Sequence, residues 1–195
     1  MPETLPLFPL KTVLFPGGPL RLRIFEPRYI DLVRECTQNG TEFGVCLIVD
    51  GEETSAQTTA TIGTTARITD FFTGEDGLLG IDAIGVDRFE MSSTNVRDNG
   101  LAEGEMTRWE PEPSIPLASE YSVLGTIAGR LMEQVGDAFS AYADPQLEDA
   151  TWVSCRLAEL LPLELAQKQL LLECREPELR LDQLMQLLPT LQSDE

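Results

Sequence analysis

Residues 5–29 read LPLFPLKTVLFPGGPLRLRIFEPRY. Apolar side chains dominate the stretch, yet Pro6, Pro9, Pro16, Pro19 and Pro27 recur through it. Proline has no backbone N–H to give, which excludes it from central strands and helix interiors. One long strand or helix is therefore impossible here, and the prolines must fall at joints between short elements. Leu5 and Leu7 alternate with Pro6 and Phe8, as in a short strand whose prolines suit an edge or a strand end. FPGGP is a turn, because proline presets φ and glycine permits positive φ. LRLRIF then alternates apolar residues with arginine, as in a strand with one wet face. Pro27 suits a first helical position. Tyr29, Leu32, Val33 and Cys36 follow helical spacing, and Gly40 suits the helix stop. The opening is a strand–turn–strand–helix unit.

Residues 43–49, FGVCLIV, form a continuous apolar run that fits a strand buried on both faces. After a polar loop, Ile62, Thr64, Ala66 and Ile68 alternate as in another strand. GEDG at 74–77 turns the chain into LLGIDAIGVDRFEMSST, where apolar parity slips at Ile84 and Val86 and returns at Phe89 and Met91. Such slips mark bulges or bends in a curved sheet. Asn99-Gly100 predicts a tight hairpin into a last strand. Residues 1–113 thus read as a small barrel-like subdomain with one early helix.

EPEPSIP at 110–116 reads as a linker, after which the period becomes helical. Tyr121, Leu124, Ala128, Leu131 and Val135 share one helical face, and GDAFSAYADP reads as a connector. Asp149 suits a cap on a helix to about Leu161, and Pro162 ends it or starts the next. That next helix carries Leu170, Leu171 and Cys174; the last opens at Pro177 with a stripe of Leu181, Leu184, Met185 and Leu188. Residues 114–195 are expected to form a bundle of about four helices. The fold class is α+β: a mixed β-barrel followed by a helical bundle.

The 195 residues carry 33 acidic and 14 basic side chains, a formal net charge of −19. A field of that sign repels phosphate, so neither nucleic acid nor an anionic membrane is expected as a partner. The start lacks a basic segment ahead of an apolar one, and no apolar run approaches a membrane span, which predicts a cytoplasmic setting. Cys36, Cys46, Cys155 and Cys174 form no C-x-x-C, and histidine is absent, so neither a metal nor another cofactor is expected. Cys46, inside VCLIV, predicts a buried thiol.

Glu52-Glu53 and Glu75-Asp76 fall in predicted turns, where solvated charge is their reading rather than acid–base work. GEDGLLG precedes a strand and fails as a phosphate loop. Asn39-Gly40-Thr41 is a glycosylation sequon that a cytoplasmic chain does not use. Asp144, Glu148 and Asp149 suit charge at a helix start better than a cation site, and Lys168 reads as an exposed mid-helix lysine. Glu26 is expected to cap the first helix, while Arg28 suits either an ion pair or a partner contact. Phe8, Phe15, Phe25 and Phe72 suit either core or binding surface; with Arg28 they are the candidate partner-binding residues. No catalytic constellation emerges.

Several of these segments, taken in order, resemble a known family: LPLFPL, VLFPGG, RIFEPRY, FGVCLI, GTTARI, GLLGI, DRFEM and RLAELLPLELAQKQLLLE. They are similar to the LON domain, the N-terminal substrate-binding domain of Lon-type ATP-dependent proteases, and look closer to its stand-alone bacterial members. The resemblance implies a PUA-like β-barrel followed by a helical bundle, and capture of unfolded or marked proteins. No G-x-x-x-x-G-K-[ST] is present and Lon's serine–lysine dyad has no counterpart, so no enzymatic activity is expected. The expected function is a non-enzymatic module, an adaptor or client-binding factor, that binds polypeptide segments or client proteins. Grooves between the subdomains or strand addition at a sheet edge would serve it. The alternatives are a PUA-like RNA-binding module, which the charge opposes, and a small-molecule sensor with a pocket between the subdomains.

Overall fold

The computed structural model describes residues 2–51, 58–135 and 145–191; Glu52, Glu53 and Asp144 lie outside them. The chain divides into two units, Met1–Glu110 and Pro111–Glu195. The first holds β1 (Glu3–Leu10), β2 (Pro19–Ile24), α1 (Pro27–Asn39), β3 (Phe43–Asp50), β4 (Thr58–Thr59), β5 (Ile62–Thr73), β6 (Leu79–Val96) and β7 (Ala102–Arg108).

β1 joins the two ends of the sheet. Its first half pairs antiparallel with β7, Leu5 opposite Gly104, and its second half pairs parallel with β3, Leu7 opposite Gly44. The circuit β1–β7–β6–β5–β3 thereby returns to β1, with β2 added to β6 and β4 to β3. β1 was expected at an edge because of its prolines. It is instead a local edge twice over. Pro6 lies in the half bonded to β7 and Pro9 in the half bonded to β3, so each half keeps an unbonded side where a missing N–H costs nothing.

The two faces of β1 serve different cores. Leu5 and Leu7 pack with Cys46, Phe89, Met91 and Met106. Phe8 and Leu10 pack with Phe43, Val45, Ala66, Ile81 and Ala83 beneath α1, which contributes Tyr29, Leu32, Val33 and Cys36. Phe8 stacks on Tyr29 with ring centroids 3.9 Å apart. β3 is buried on both faces over residues 43–48, as its unbroken apolar run requires. The parity slip in β6 is a bulge: Ala66 faces Gly85, but Thr64 faces Arg88, leaving an extra β6 residue between. Gly63 admits Phe89, whose ring a Cβ there would strike.

α1 is fastened to the β6–β7 turn. Arg97 spans Glu35 at 2.5 Å and Glu103 at 2.6 Å, Asn99 Nδ2 donates to Asp31 at 3.1 Å, and Arg28 Nη1 donates to the Gly100 carbonyl at 3.3 Å. Gly40 ends α1 at φ 63°, a left-handed position that favours glycine. The expected Glu26 cap takes another form: no side-chain cap bond forms, and the carboxylate pairs with Arg28 at 2.9 Å instead.

The second unit holds a short 3-10 turn (Ser119–Tyr121), α2 (Ser122–Val135), α3 (Ala150–Leu160), α4 (Leu165–Glu173) and α5 (Pro177–Leu191). Seven of the eleven α3 residues are buried. Asp149 caps α3, accepting from the Trp152 N–H at 2.9 Å. Tyr121 Oη donates to Asp182 at 2.7 Å, and that carboxylate pushes the phenol up to about 12.

Arg180 of α5 is the polar centre of this unit, 1 % exposed. Its guanidinium forks onto Glu112 at 2.5 and 3.0 Å. It also donates to the carbonyls of Leu171 and Cys174 and to Ser154 Oγ, tying α3, α4 and α5 to one group. Residues 110–116 are therefore no free linker. Beyond Glu112, the Pro113 carbonyl accepts from Thr151 Oγ1 at 2.7 Å, and the Ile115 carbonyl accepts from the Ala150 N–H at 2.7 Å. The second unit includes these residues from Pro111 onwards. Lys168 also departs from expectation: half-buried, it donates to the Glu159 carbonyl at 2.7 Å, and burial lowers its pKa.

Removing Arg180 strands the Glu112 carboxylate. Arg180→Met should cost about 3–5 kcal/mol in urea unfolding followed by circular dichroism, and Arg180→Met with Glu112→Met should recover most of it. A single-variant cost below about 1 kcal/mol would refute the clasp as organiser.

All four cysteines are buried. Burial pushes the Cys46 thiol up to about 12 and Cys36 up to about 11. Both should resist a thiol reagent at pH 8 in the folded chain and react fully in denaturant. Because the folded values are raised, their contribution to stability is intact below about pH 8.5 and falls as pH climbs towards 12. Prompt labelling of Cys46 without denaturant would contradict its burial.

Candidate binding surface

One end of the first unit's sheet is three strands wide. Arg23 pairs with Gly80, which pairs with Phe72; Ile24 pairs with Leu79, which pairs with Thr73. Alternation sends Leu79, Ile81 and Ala83 of β6 towards the core beneath α1. Gly80 and Asp82 take the opposite face. There Phe72 lies across Gly80, at a spot where any Cβ would collide with its ring. The Arg21 guanidinium lies over that ring, 3.8 Å from its centroid. Phe72 is thus a half-buried aromatic packed against a glycine and an arginine.

Three exposed apolar residues belong to this strand end, and one of them, Phe71, is registered opposite Ile81 and so lies on the other face of the sheet from Phe72. Phe25 continues β2 past the Ile24–Leu79 pair and is 60 % exposed; Phe71 is 47 % and Leu78 37 % exposed. The turn beneath them is ordered by its own bonds. The Gly74 N–H donates to the Leu78 carbonyl at 2.9 Å, Asp76 accepts from the Leu78 N–H at 3.2 Å, and Asp76 also pairs with Arg23. Glu75-Asp76 is accordingly turn chemistry.

The candidates separate cleanly. Phe8 and Phe15 are core residues, 6 % and 0 % exposed, and offer no surface to a partner. Phe25 and Phe72 come to the same strand end. Arg28 is drawn into the α1–turn fastening, with its side chain 20 % exposed beside Glu26. Sequence reasoning missed Phe71, Leu78 and Arg21. The adjacent pair Phe71-Phe72 carried the signal, since neighbouring strand residues face opposite ways and both rarely find a core.

Among the described residues, no group of three His, Cys, Asp or Glu side chains is placed to hold a metal ion. Among them, too, no helix is long and apolar enough to cross a membrane. The strand end thus keeps apolar area exposed beside an ordered turn, with Arg21 and Arg23 next to it.

The family model for the ATP-dependent protease La (LON) substrate-binding domain matches residues 4–190. A Lon N-terminal domain protein from Xanthomonas campestris superposes with a TM-score of 0.79 at 44 % identity, covering 94 % of this chain and 97 % of that one. The N-terminal domain of the Mycobacterium avium complex Lon protease shares the fold, with a TM-score of 0.65 at 17 % identity over 99 % of this chain and 100 % of that one. The chain belongs to the LON substrate-binding domain family, and its fold is that of a Lon-like substrate-recognition module.

Proposed function

We propose that this chain is a non-enzymatic client-binding factor of the cytoplasm that recruits unfolded polypeptide segments, acting as an adaptor for a separate machine. The strand-end surface carries the reading. Phe25, Phe71 and Leu78 keep apolar area in water while the chain around them is bonded. A partly unfolded client presents complementary apolar segments and buries that area on contact. Each large side chain fully covered contributes about 1.5–3 kcal/mol. A segment that wraps the strand end and partly covers these side chains, less its own ordering cost, supports weak and reversible capture rather than permanent assembly. Arg21 and Arg23, both exposed, add hydrogen-bond donors for client carbonyls and carboxylates. The buried thiols suit a reducing compartment.

A fluorescently labelled, permanently unfolded polypeptide should bind the full chain, while its compact native form should not. Phe25→Ser with Phe71→Ser should weaken binding roughly tenfold, with an unchanged thermal melt because both side chains are exposed. Equal binding by the double variant would move the client site elsewhere, and no binding by either form would end the proposal.

A further inference from the structure

A second apolar surface belongs to the helical unit. α4 and α5 both pack on α3, and their outward sides leave a groove between them. Two adjoining hollows of about 440 and 190 Å³ make it up, sharing Leu170 and Gln183. From α5 come Leu179, Gln183 and Leu187, spaced by four residues and so on one helical face. From α4 come Leu170 and Leu171. Leu171 is buried and forms floor, whereas Leu170 is 63 % and Leu179 47 % exposed. A lone exposed leucine needs no explanation. Two that line one hollow do, because they hold apolar area in a concave surface where a partner's side chain fits.

Length and charge define the occupant. Leu179 to Leu187 spans about 12 Å at 1.5 Å per residue, roughly two helical turns. A channel between two helices with anchors at that spacing accepts the apolar face of a third. Residues 111–195 carry fifteen acidic and five basic side chains. Two of the basic ones, Arg156 and Arg180, are buried against Glu159 and Glu112, and Lys168 is committed to the Glu159 carbonyl. At the groove's mouth Glu173 and Glu176 flank Arg175. The charged side chains that line the groove are thus acidic by one, within a unit whose sequence is acidic by ten.

We propose that the α4–α5 groove binds a cationic amphipathic helix of about two turns, with its apolar side chains against Leu170 and Leu179 and its lysines or arginines towards Glu173 and Glu176. This site is independent of the strand-end surface.

The test uses the full chain and three fluorescein-labelled synthetic peptides. One is a leucine–lysine helix with leucines at helical spacing, one its glutamate-for-lysine counterpart, and one a lysine peptide of equal composition with the leucines scrambled off one face. Anisotropy should show binding of the first, weakening as salt rises from about 50 to about 300 mM. The other two should bind at least roughly tenfold less well. Leu170→Ser with Leu179→Ser should lower affinity for the first peptide roughly tenfold, and Glu173→Lys with Glu176→Lys should lower it roughly threefold. Phe25→Ser with Phe71→Ser should leave it unchanged. The proposal is overturned if the basic peptide does not bind, if the acidic or scrambled peptide binds as well, or if both groove variants bind like the unaltered chain. The last result would assign binding to general adhesion on an acidic surface.

Discussion

The first unit depends on one strand bonded to different neighbours along its two halves. β1 gives its first residues to β7 and its last to β3, and that switch closes the circuit of strands. A strand bonded on both sides along its whole length would not tolerate Pro6 and Pro9. A strand bonded on one side only would leave the sheet open with two long edges, a standing template for unwanted pairing. The split satisfies both constraints together. It also gives β1 two buried faces, so that its leucines at 5 and 7 and its Phe8 and Leu10 feed separate cores.

Closure explains why exposed aromatics collect where they do. β6 runs through residues 79–96, but only part of it pairs with β7; the stretch near the 74–78 turn pairs with β2 instead. Of the three strands at this end, β5 and β6 belong to the closed path and β2 lies off it, added to β6. Phe72 finds shelter across Gly80 under Arg21, and Phe71 and Phe25 do not. Phe71 is fixed by its pairing with β6 opposite Ile81, and Leu78 by the hydrogen bonds of the 74–78 turn.

Much of this was legible in the sequence because it is local. The proline joints, the α1 stripe, the Gly40 stop, the Asp149 cap and the parity slip in β6 each follow from the period of a few neighbouring residues. What stayed hidden is decided across long separations. Nothing local says that Pro6 and Pro9 face different strands, or that Glu112, in a stretch with a linker's composition, is held by an arginine 68 residues later. Arg180 falls between apolar neighbours in a helical pattern, and its inward turn depends on carbonyls supplied by α4. Leu170 shows the reverse error. In a run of three leucines on a short helix only part can face inward, and periodicity alone does not choose which. The candidate site was half legible for the same reason, since phenylalanines in one motif divided between core and surface by register.

Exposed apolar surface and high charge constrain each other. A chain that shows Phe25, Phe71, Leu170 and Leu179 to water invites its own copies to associate through them. A net charge of −19 opposes that encounter, because like-charged copies repel over the Debye length of about 8 Å at physiological salt. The ion pairs of Arg156 with Glu159 and of Arg180 with Glu112 withdraw as many anions as cations from the surface, so the acidic excess stays on the side chains that remain in water and keeps opposing association through the apolar ones.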